Sequence, residues 1–302
     1  MKRIILAIVA AIAFLSPAAA GGYFNGWYFK LQSESRTMAL IVAYHRTGGV
    51  ETASLQVITD ETVWNVPFDY SSFSRNGKGL DVTLGSCRFS PEGIVLDVHE
   101  DGFDLEGEVS FGPWTPIKGD IMGPFRYVPF MQCRHSVWSV RHNVNGSITL
   151  NGDKYDFSDS QGYIEGDRGY SFPSVYVWTQ CLFDGGSIML SVADIPMGLF
   201  HFTGIIGFVY YQGKEYRIAT YNGASLKEIG DNSATVSQKD IELTVKLIEK
   251  NAKPLYAPVN GAMDRVIRES ASCLAGYKFT IGRQTILDFQ SPKASFEYEW
   301  NY

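Results

Sequence analysis

Turn signals recur along this sequence at intervals that leave room only for short strands. The dipeptide Asn-Gly occurs six times, and it favours the positive φ angles of the tight turns that join β-hairpins. The clearest hairpin has Ser147–Leu150 and Lys154–Phe157 on either side of Asn151-Gly152. A spacing of roughly ten residues per strand is typical of β-barrels and β-sandwiches. The pattern therefore predicts an all-β fold.

Other segments support the same fold class. Val82–Phe89, Ile94–Val98, Phe103–Val109 and Glu215–Thr220 alternate apolar and polar residues with the period of a half-buried strand. Past the N-terminus, only Ala262–Leu274 has apolar residues at spacings of three and four, which fits a helix or a strand with a bent entry. We therefore expect at most one or two short helices.

The length of 302 residues suits two domains or one large all-β unit. A Gly/Pro-rich stretch ends near Pro129, and a fresh series of hairpins begins around 142–146. No linker-like segment separates the two regions. We expect a leader at 1–20, an N-terminal β half at 21–145 and a C-terminal β half at 146–302, packed tightly together.

The N-terminus has the three parts of a secretory signal. Lys2 and Arg3 form a basic start, Ile4–Leu15 is apolar throughout, and Ala18–Ala20 offers the small residues that signal peptidase needs. The apolar run is short for a transmembrane helix. We predict a cleaved signal peptide and export to the cell surface, periplasm or medium. An uncleaved anchor and a misplaced start codon are the alternatives.

Export implies an oxidising compartment, in which cysteines form disulfides. Cys87, Cys133, Cys181 and Cys273 lack the close paired spacing of a zinc site. One or two disulfides and buried free thiols are equally compatible with the sequence.

Charge and missing motifs exclude several functions. A net charge of −6 argues against nucleic acid as a partner. The sequence has no nucleophile elbow, no His-Glu-x-x-His and no phosphate or dinucleotide loop. His135 and His142 are seven residues apart, so on a regular strand they face opposite sides. We therefore predict no metal site.

Three segments combine aromatic and charged residues unusually closely: Tyr23–Lys30, Gly162–Pro173 and Tyr176–Phe183. These segments resemble the tocopherol cyclase family in its bacterial, tocopherol cyclase-like branch. The first matches the family's opening run Tyr-Phe-Glu-Gly-Trp-Tyr-Phe-Lys except that Asn25 replaces Glu. In the other two, the residues that fit the central signature are Tyr163, Glu165, Gly169, Phe172, Pro173, Trp178 and Gln180.

The resemblance implies a calycin-like architecture of two lipocalin-like β-barrel or β-sandwich halves. It also implies a reaction in which an acid protonates an alkene of a prenylated quinol and the phenolic oxygen closes the ring. That chemistry needs no redox cofactor. The implied partner is an apolar small molecule held in a barrel interior, and a peripheral membrane contact is left open. Oligomeric state is not predicted.

Glu165 and Asp167 are the candidate acids. They are two residues apart, so both would face one side of a strand. Close like charges raise the pKa of one of them, which favours a protonated donor. An exposed turn pair neutralised by Arg168 is the alternative interpretation. His135 is a candidate proton relay, or else an ordinary buried histidine.

Seven residues are candidates for binding the substrate. Trp27, Tyr28 and Trp178 would line the cation site, unless they are simply core. Lys30 and Gln180 are polar groups among aromatic residues, so they either bind a ligand oxygen or tie one loop to another. The resemblance adds Tyr163 and Phe172 from the central signature.

The sequence departs from the family pattern where the chemistry is expected. Asn25, Gly166 and Arg168 stand where Glu, Lys and Trp are expected, and Gln132 stands where related chains often carry Glu. An acid catalyst of cyclisation or hydration is the first functional hypothesis. A binding protein that carries an apolar ligand without catalysis is the second, and a structural or surface-interaction protein is the third.

Overall fold

Strands make up most of this computed structural model, which describes residues 21–77, 79–129, 131–197, 200–249 and 253–300. The predicted signal peptide lies outside the described residues, so export stays a prediction. The described helical segments are three short 3₁₀ turns at Tyr70–Ser72, Gly123–Tyr127 and Thr220–Asn222. None of the described helices has the length and apolarity needed to cross a bilayer. The predicted all-β fold is confirmed.

The first sheet uses twelve strands. They are β1 (Tyr23–Gln32), β2 (Thr37–Thr47), β3 (Val50–Thr59), β4 (Val63–Asp69), β5 (Phe73–Arg75), β6 (Val82–Leu84), β7 (Cys87–Ser90), β8 (Gly93–Glu100), β9 (Phe103–Phe111), β10 (Cys133–Leu150), β11 (Asp153–Asp156) and β12 (Ser160–Gly169). Their order is β4-β3-β2-β1-β12-β10-β9-β8-β7-β6-β5, and β11 pairs with β10.

The second sheet uses ten strands. They are β13 (Val175–Phe183), β14 (Gly186–Met197), β15 (Phe200–Tyr211), β16 (Lys214–Ala219), β17 (Ser225–Gly230), β18 (Ser233–Gln238), β19 (Ile241–Glu249), β20 (Lys253–Val259), β21 (Ala262–Ile281) and β22 (Gln284–Tyr298). Their order is β16-β15-β14-β13-β22-β21-β19-β18-β17, and β20 pairs with β21.

The two sheets share one topology. Each begins with a four-stranded meander whose first strand, β1 or β13, also pairs with the last strand of the same sheet, β12 or β22. Next to that last strand lies the longest strand of its sheet, β10 or β21. Although no repeat is visible in the sequence, the fold is therefore two equivalent lipocalin-like halves, as expected.

The division between the halves differs from the expected one at 145/146. That position lies inside β10, and the chain changes sheets between Gly169 and Val175. Asn145-Gly146 is not a hairpin turn here. Gly146 has φ of 137°, and a Cβ at this position would lie 2.2 Å from the carbonyl oxygen of Glu108 on the neighbouring strand. This glycine therefore allows close strand approach rather than a chain reversal.

Ala262–Leu274, for which a helix was one expectation, belongs to β21. Shifts in register interrupt the pairing of β21 with β22 between Ser270 and Cys273 and again before Ala275. Such bulges break the period of two at the end of this segment, and before them Val266 is an exposed apolar residue on the outer face. Together these features give the apolar residues a helix-like spacing. The four cysteines are free thiols in the structure.

Three apolar clusters form the core. One fills the N-terminal half around Trp27 and Ile164, and a second fills the C-terminal half around Val177 and Phe296. The third contains residues of both halves, among them Tyr163. We call this third cluster and the polar residues within it the interface, since it lies between the two sheets.

A crossing segment, residues 112–129, leaves β9 and packs on the C-terminal half. Ile121 of this segment is buried in the interface. The guanidinium of Arg217 on β16 donates hydrogen bonds to the carbonyl oxygens of Lys118 (2.8 Å) and Asp120 (3.1 Å). The hydroxyl of Tyr221 donates to the carbonyl of Ile121 at 2.9 Å. These bonds fix the crossing segment across the two halves.

Candidate functional site

Alternate residues of β12 serve different parts of the molecule. Ile164 belongs to the core of the N-terminal half, whereas Tyr163 belongs to the interface. Because strand side chains alternate, Glu165 and Asp167 lie on the same face as Tyr163. The two acids that the sequence singled out therefore face the interface and not the inside of either barrel.

His135 of β10 lies between these two carboxylates. Its Nδ1 is 3.0 Å from Oδ1 of Asp167, and its Nε2 is 3.2 Å from Oε2 of Glu165. The imidazole is buried, the Glu165 side chain is only 5% exposed and the Asp167 side chain is 22% exposed. The cluster thus reaches solvent at Asp167 and ends in the interior at Glu165.

Two further donors complete the cluster. The hydroxyl of Tyr163 donates to Oε2 of Glu165 at 2.6 Å, and the thiol of Cys133 donates to Oδ1 of Asp167 at 3.2 Å. Burial raises the pKa of both donors well above their ordinary values, and the adjacent carboxylates add to the effect. Tyr163 and Cys133 therefore stay protonated and hydrogen-bond the carboxylates.

His135 is the cation of this cluster. Burial alone would lower its pKa, but the charges of Asp167 and Glu165 together outweigh burial and hold the pKa well above its usual value. The imidazolium thus lies between the carboxyl groups of Glu165 and Asp167.

The C-terminal half contributes a further acid, Glu297, to the same interface. It lies on β22, the strand equivalent to β12, and it is paired with Trp178 as Glu165 is paired with Tyr28. The hydroxyl of Tyr176 donates a hydrogen bond to its Oε2. Glu297 was not predicted from the sequence, although Glu297 and Glu299 repeat the spacing of Glu165 and Asp167.

Glu297 is held protonated. Burial raises its pKa from an ordinary value of 4.5 to about 8; the hydrogen bond from Tyr176 opposes this rise, and the negative charges of Glu165, Glu299 and Asp167 reinforce it. A neutral carboxylic acid and a charged acid–histidine cluster therefore face the same interface. A buried carboxyl group that keeps its proton near neutral pH is suited to act as a general acid.

Aromatic rings border the two acidic groups. Tyr28 and Trp178 meet edge to face with ring centroids 5.6 Å apart, and both belong to the interface. The hydroxyl of Tyr28 is 3.0 Å from Oγ of Ser295, and Nζ of Lys30 donates to the same oxygen at 2.9 Å. Lys30 also donates to the carbonyl of Lys293 at 2.7 Å, so it ties the two halves together.

Two polar atoms on β13 lack hydrogen-bond partners among the described residues. They are the indole Nε1 of Trp178, a donor, and Oε1 of Gln180, an acceptor, and both are buried. Being two residues apart, Trp178 and Gln180 share the face of β13 that lies against the interface. A substrate hydroxyl satisfies both requirements, since it donates and accepts.

Two other predicted binding residues lie in different places. Phe172 follows β12, packs against the interface cluster and meets Phe24 edge to face at 5.4 Å. Trp27 belongs to the core of the N-terminal half, on the face of β1 opposite Tyr28. Trp27 is therefore separated from Tyr28 and Trp178, and the expectation that these three rings line one cation site is wrong for Trp27.

Three of the four departures from the family pattern also lie on that opposite face. The fourth, Gln132, precedes β10, and its side-chain amide donates to the carbonyl of Phe172 at 3.0 Å. Asn25 is two residues from Trp27, and Gly166 and Arg168 alternate with Glu165 and Asp167 along β12. Alternation places all three on the barrel side of the sheet. These substitutions therefore leave the acid cluster complete.

Glu165, Asp167 and His135 are also the residues of the described chain whose ligand atoms come close enough, within 4.8 Å of one another, to hold a metal ion. Each ring nitrogen of His135 already faces a carboxylate oxygen. A metal would have to displace one of these contacts, so the geometry fits an ion pair better than a metal site.

Two surface cavities lie away from the cluster. One, of about 200 Å³, lies where β4 meets β20 and includes Leu255 of the interface. The other, of about 390 Å³, lies beside Arg217 and Tyr221. Neither is lined by His135, Glu165, Asp167 or Glu297.

Solved structures share this fold over nearly the whole chain. CghA, solved with Sch210972, has a TM-score of 0.61 at 9% identity, covering 93% of this chain and 89% of that one. Kievitone hydratase from Nectria haematococca has a TM-score of 0.54 at 10% identity, with coverage of 94% and 91%. An AttH-type protein from Nitrosomonas europaea has a TM-score of 0.54 at 12% identity, covering 93% of both chains.

No family model and no curated protein matches the sequence. The resemblance to the tocopherol cyclase family therefore rests on its sequence motifs alone. The structural likeness, at 9–12% identity, shows the fold, namely two lipocalin-like all-β halves, as the sequence predicted.

Proposed function

We propose that this protein is an acid–base catalyst that cyclises or hydrates an apolar, alkene-bearing substrate, a prenylated quinol being the preferred class. One observation carries the proposal. A protonated carboxylic acid, Glu297, and a charged cluster of Glu165, His135 and Asp167 face one buried interface. One of the solved structures with this fold is a hydratase by name, which is compatible with such chemistry.

The proposed reaction is balanced without a cofactor. Glu297 transfers its proton to one alkene carbon, which leaves a tertiary cation on the other. The substrate's own hydroxyl, or a water molecule, bonds to that cation. The carboxylate of Glu165 accepts the hydroxyl proton. Glu165 then releases this proton and Glu297 regains one by exchange with solvent, which reaches the partly exposed Asp167.

The same surroundings stabilise the cation. A raised pKa keeps Glu297 protonated near neutral pH, and the carboxylate that remains after proton transfer favours the positive charge that forms. The rings of Tyr28 and Trp178 offer π faces. The unpartnered Nε1 of Trp178 and Oε1 of Gln180 would hold the attacking hydroxyl.

Turnover in heavy water tests this proposal. A hydroquinone with one prenyl chain should give a ring-closed product of the same composition, carrying one deuterium at the protonated carbon. Glu297→Gln removes the proton and should lower turnover at least about 100-fold. The matched variant Glu242→Gln changes an exposed glutamate of the same half that pairs with Lys227, and it should retain full activity.

Two results would overturn the proposal. One is a Glu297→Gln protein as active as the wild type. The other is no turnover of the hydroquinone while mass spectrometry of extracted ligand shows an apolar molecule bound unchanged, which would establish the second hypothesis, a carrier.

A further inference from the structure

Two edge strands from different halves meet without pairing. Among the described strands, β4 pairs only with β3, and β20 pairs only with β21. Pro254 and Pro258 lie two residues on either side of Tyr256 in β20, and a proline has no N–H group to offer to a neighbouring strand. The sequence of β20 therefore disfavours a continuous ladder with β4, and a seam is left between the two halves.

A single side chain bridges this seam next to a cavity. The amide of Gln56 on β3 donates a hydrogen bond to the carbonyl oxygen of Tyr256 at 3.3 Å, and its Oε1 accepts one from the N–H of Tyr256 at 3.2 Å. The smaller of the two surface cavities, of about 200 Å³, lies along the seam. It is lined by Val63, Asn65, Pro254, Leu255, Tyr256 and Val266.

The cavity extends from the interface to the surface. On its inner side are Leu255, a buried member of the interface, and Val63, which packs against the interface. On its outer side are Tyr256 and Val266, a cross-strand pair with 43% and 56% of their surface exposed. Asn65 is the polar member of the lining. A concave, mainly apolar lining of this kind suits an apolar ligand.

A row of cross-strand neighbours connects the acid cluster with this cavity. Tyr163, which donates a hydrogen bond to the inner carboxylate of the cluster, is paired with Lys30. The pairing continues through Ala39 and Ile58 to Val63, all three within or against the apolar part of the interface. The row crosses four strand spacings from β12 to β4, which amounts to about 19 Å at about 4.8 Å each.

We infer that the cavity binds the far end of the substrate's apolar chain, an inference that rests on the proposed function and adds a long chain to the description of the substrate. With the reactive head at the acid cluster, a chain that follows the row has to span about 19 Å. An extended chain advances about 1.2 Å per bond, so roughly sixteen carbons in line reach the cavity. A chain of a few carbons ends inside the interface.

Photo-crosslinking to the full chain locates the chain end. The probe is a hydroquinone with a saturated hexadecyl chain that carries a diazirine at its far end, and peptide mass spectrometry should find the label on β4 or on residues 254–266. A hexyl analogue with the same diazirine should leave these segments unlabelled. The inference is overturned if the long probe labels the interior of either half, labels nothing specifically, or labels the cavity no more than the hexyl probe does.

A matched pair of variants tests what the cavity contributes to affinity. Val266→Glu and Val95→Glu each place a carboxylate at an exposed valine, and Val95 lies on β8, outside the cavity lining. Because a carboxylate at the rim disfavours burial of a hydrocarbon, Val266→Glu should weaken binding of the hexadecyl compound at least about ten-fold and leave the hexyl compound unaffected. Val95→Glu should change neither affinity. If Val266→Glu binds the hexadecyl compound as tightly as the wild type does, the inference fails.

Failure of this inference and failure of the proposed function can be told apart. The saturated probes have no alkene to protonate, so their binding does not depend on turnover. The prenyl group of the hydroquinone used to test catalysis is too short to reach the cavity, so its turnover does not depend on chain binding. Turnover of that hydroquinone without cavity labelling by the long probe would overturn this inference alone.

Discussion

The two halves place the same motif, two acids separated by one residue, on equivalent strands but in opposite electrostatic surroundings. Glu165 and Asp167 lie on either side of a histidine that carries a positive charge. Glu297 instead accepts a hydrogen bond from the hydroxyl of Tyr176 on β13, and burial raises its pKa to about 8. The ion pair of Arg265 in this half is with Glu299, at 3.4 Å.

This difference shows how equivalent strands of a duplicated fold can hold the same motif in different surroundings. A cation within contact distance favours the ionised form of a buried carboxyl group. Where the only neighbour is a neutral hydrogen-bond donor, desolvation raises the pKa and the group stays protonated. Both Glu165 and Glu297 accept a hydrogen bond from a tyrosine hydroxyl, so the histidine beside Glu165 is what distinguishes the two surroundings.

Removing the histidine should have the largest effect on stability. His135→Gln leaves two carboxylates buried without their counter-ion, and this should lower the free energy of unfolding by about 3–5 kcal/mol. His142→Gln is the control, because His142 is buried in the same half and its ring hydrogen-bonds only Ser139, through Nδ1 at 3.0 Å, among the described residues; it should cost about 1 kcal/mol. Urea titration measures both.

Equal losses of unfolding free energy in His135→Gln and His142→Gln would show that the charge of His135 does not stabilise the buried carboxyl groups of Glu165 and Asp167. The triple change with Glu165→Gln and Asp167→Asn removes all three charges, and it should recover part of the lost stability.

The second prediction concerns pH and the C-terminal acid. In the folded chain Glu297 keeps its proton up to a pH of about 8, whereas in the unfolded chain it loses the proton near pH 4.5. The unfolded state is therefore favoured progressively as pH rises from about 4.5 to 8. Glu297→Gln should remove this decline and be more stable than the wild type at pH 8.

Urea titrations at several pH values across this range check the second prediction. Parallel curves for wild type and Glu297→Gln would contradict it, since they would mean that Glu297 ionises alike in the folded and unfolded chains.

The smallest effect is expected from removing the tyrosine hydroxyl that donates a hydrogen bond to Glu297. Tyr176→Phe removes a hydrogen bond that favours the charged form, so the pKa of Glu297 should rise further, by an amount equivalent to about 1.5 kcal/mol. The infrared band of the protonated carboxyl group, identified by its loss in Glu297→Gln, follows this titration. Tyr163→Phe is the control, because it removes the tyrosine hydrogen bond to the acid of the other half. If it shifted the pKa of Glu297 as much as Tyr176→Phe does, the prediction would be contradicted.

Much of the fold and part of the site were predictable from the sequence. Turn chemistry and the period of two indicated an all-β chain, and the same period placed Glu165 and Asp167 on one face. Alternation also puts the adjacent residues Trp27 and Tyr28 on opposite faces of their strand, so it excludes a pocket lined by both rings. Bulges are not visible in the pattern, which is why β21 resembled a helix.

Other parts of the site depend on long-range pairing. Glu297 faces the N-terminal acids because β22 pairs with β13, and no local motif records that contact. The pKa of Glu297 depends on burial between the halves, which is a property of the assembled fold. For the same reason the sequence placed the site inside a barrel, whereas the structure places it between two.

The crossing segment has a kinetic consequence. It leads directly into the strand that carries His135, and Arg217 and Tyr221 hold it on the opposite half through several hydrogen bonds. Separation of the halves requires these bonds to break together, and cooperative opening of this kind is slow compared with proton transfer. For the proposed reaction, escape of the product rather than ring closure is therefore expected to limit turnover, and the rate should then depend on solvent viscosity.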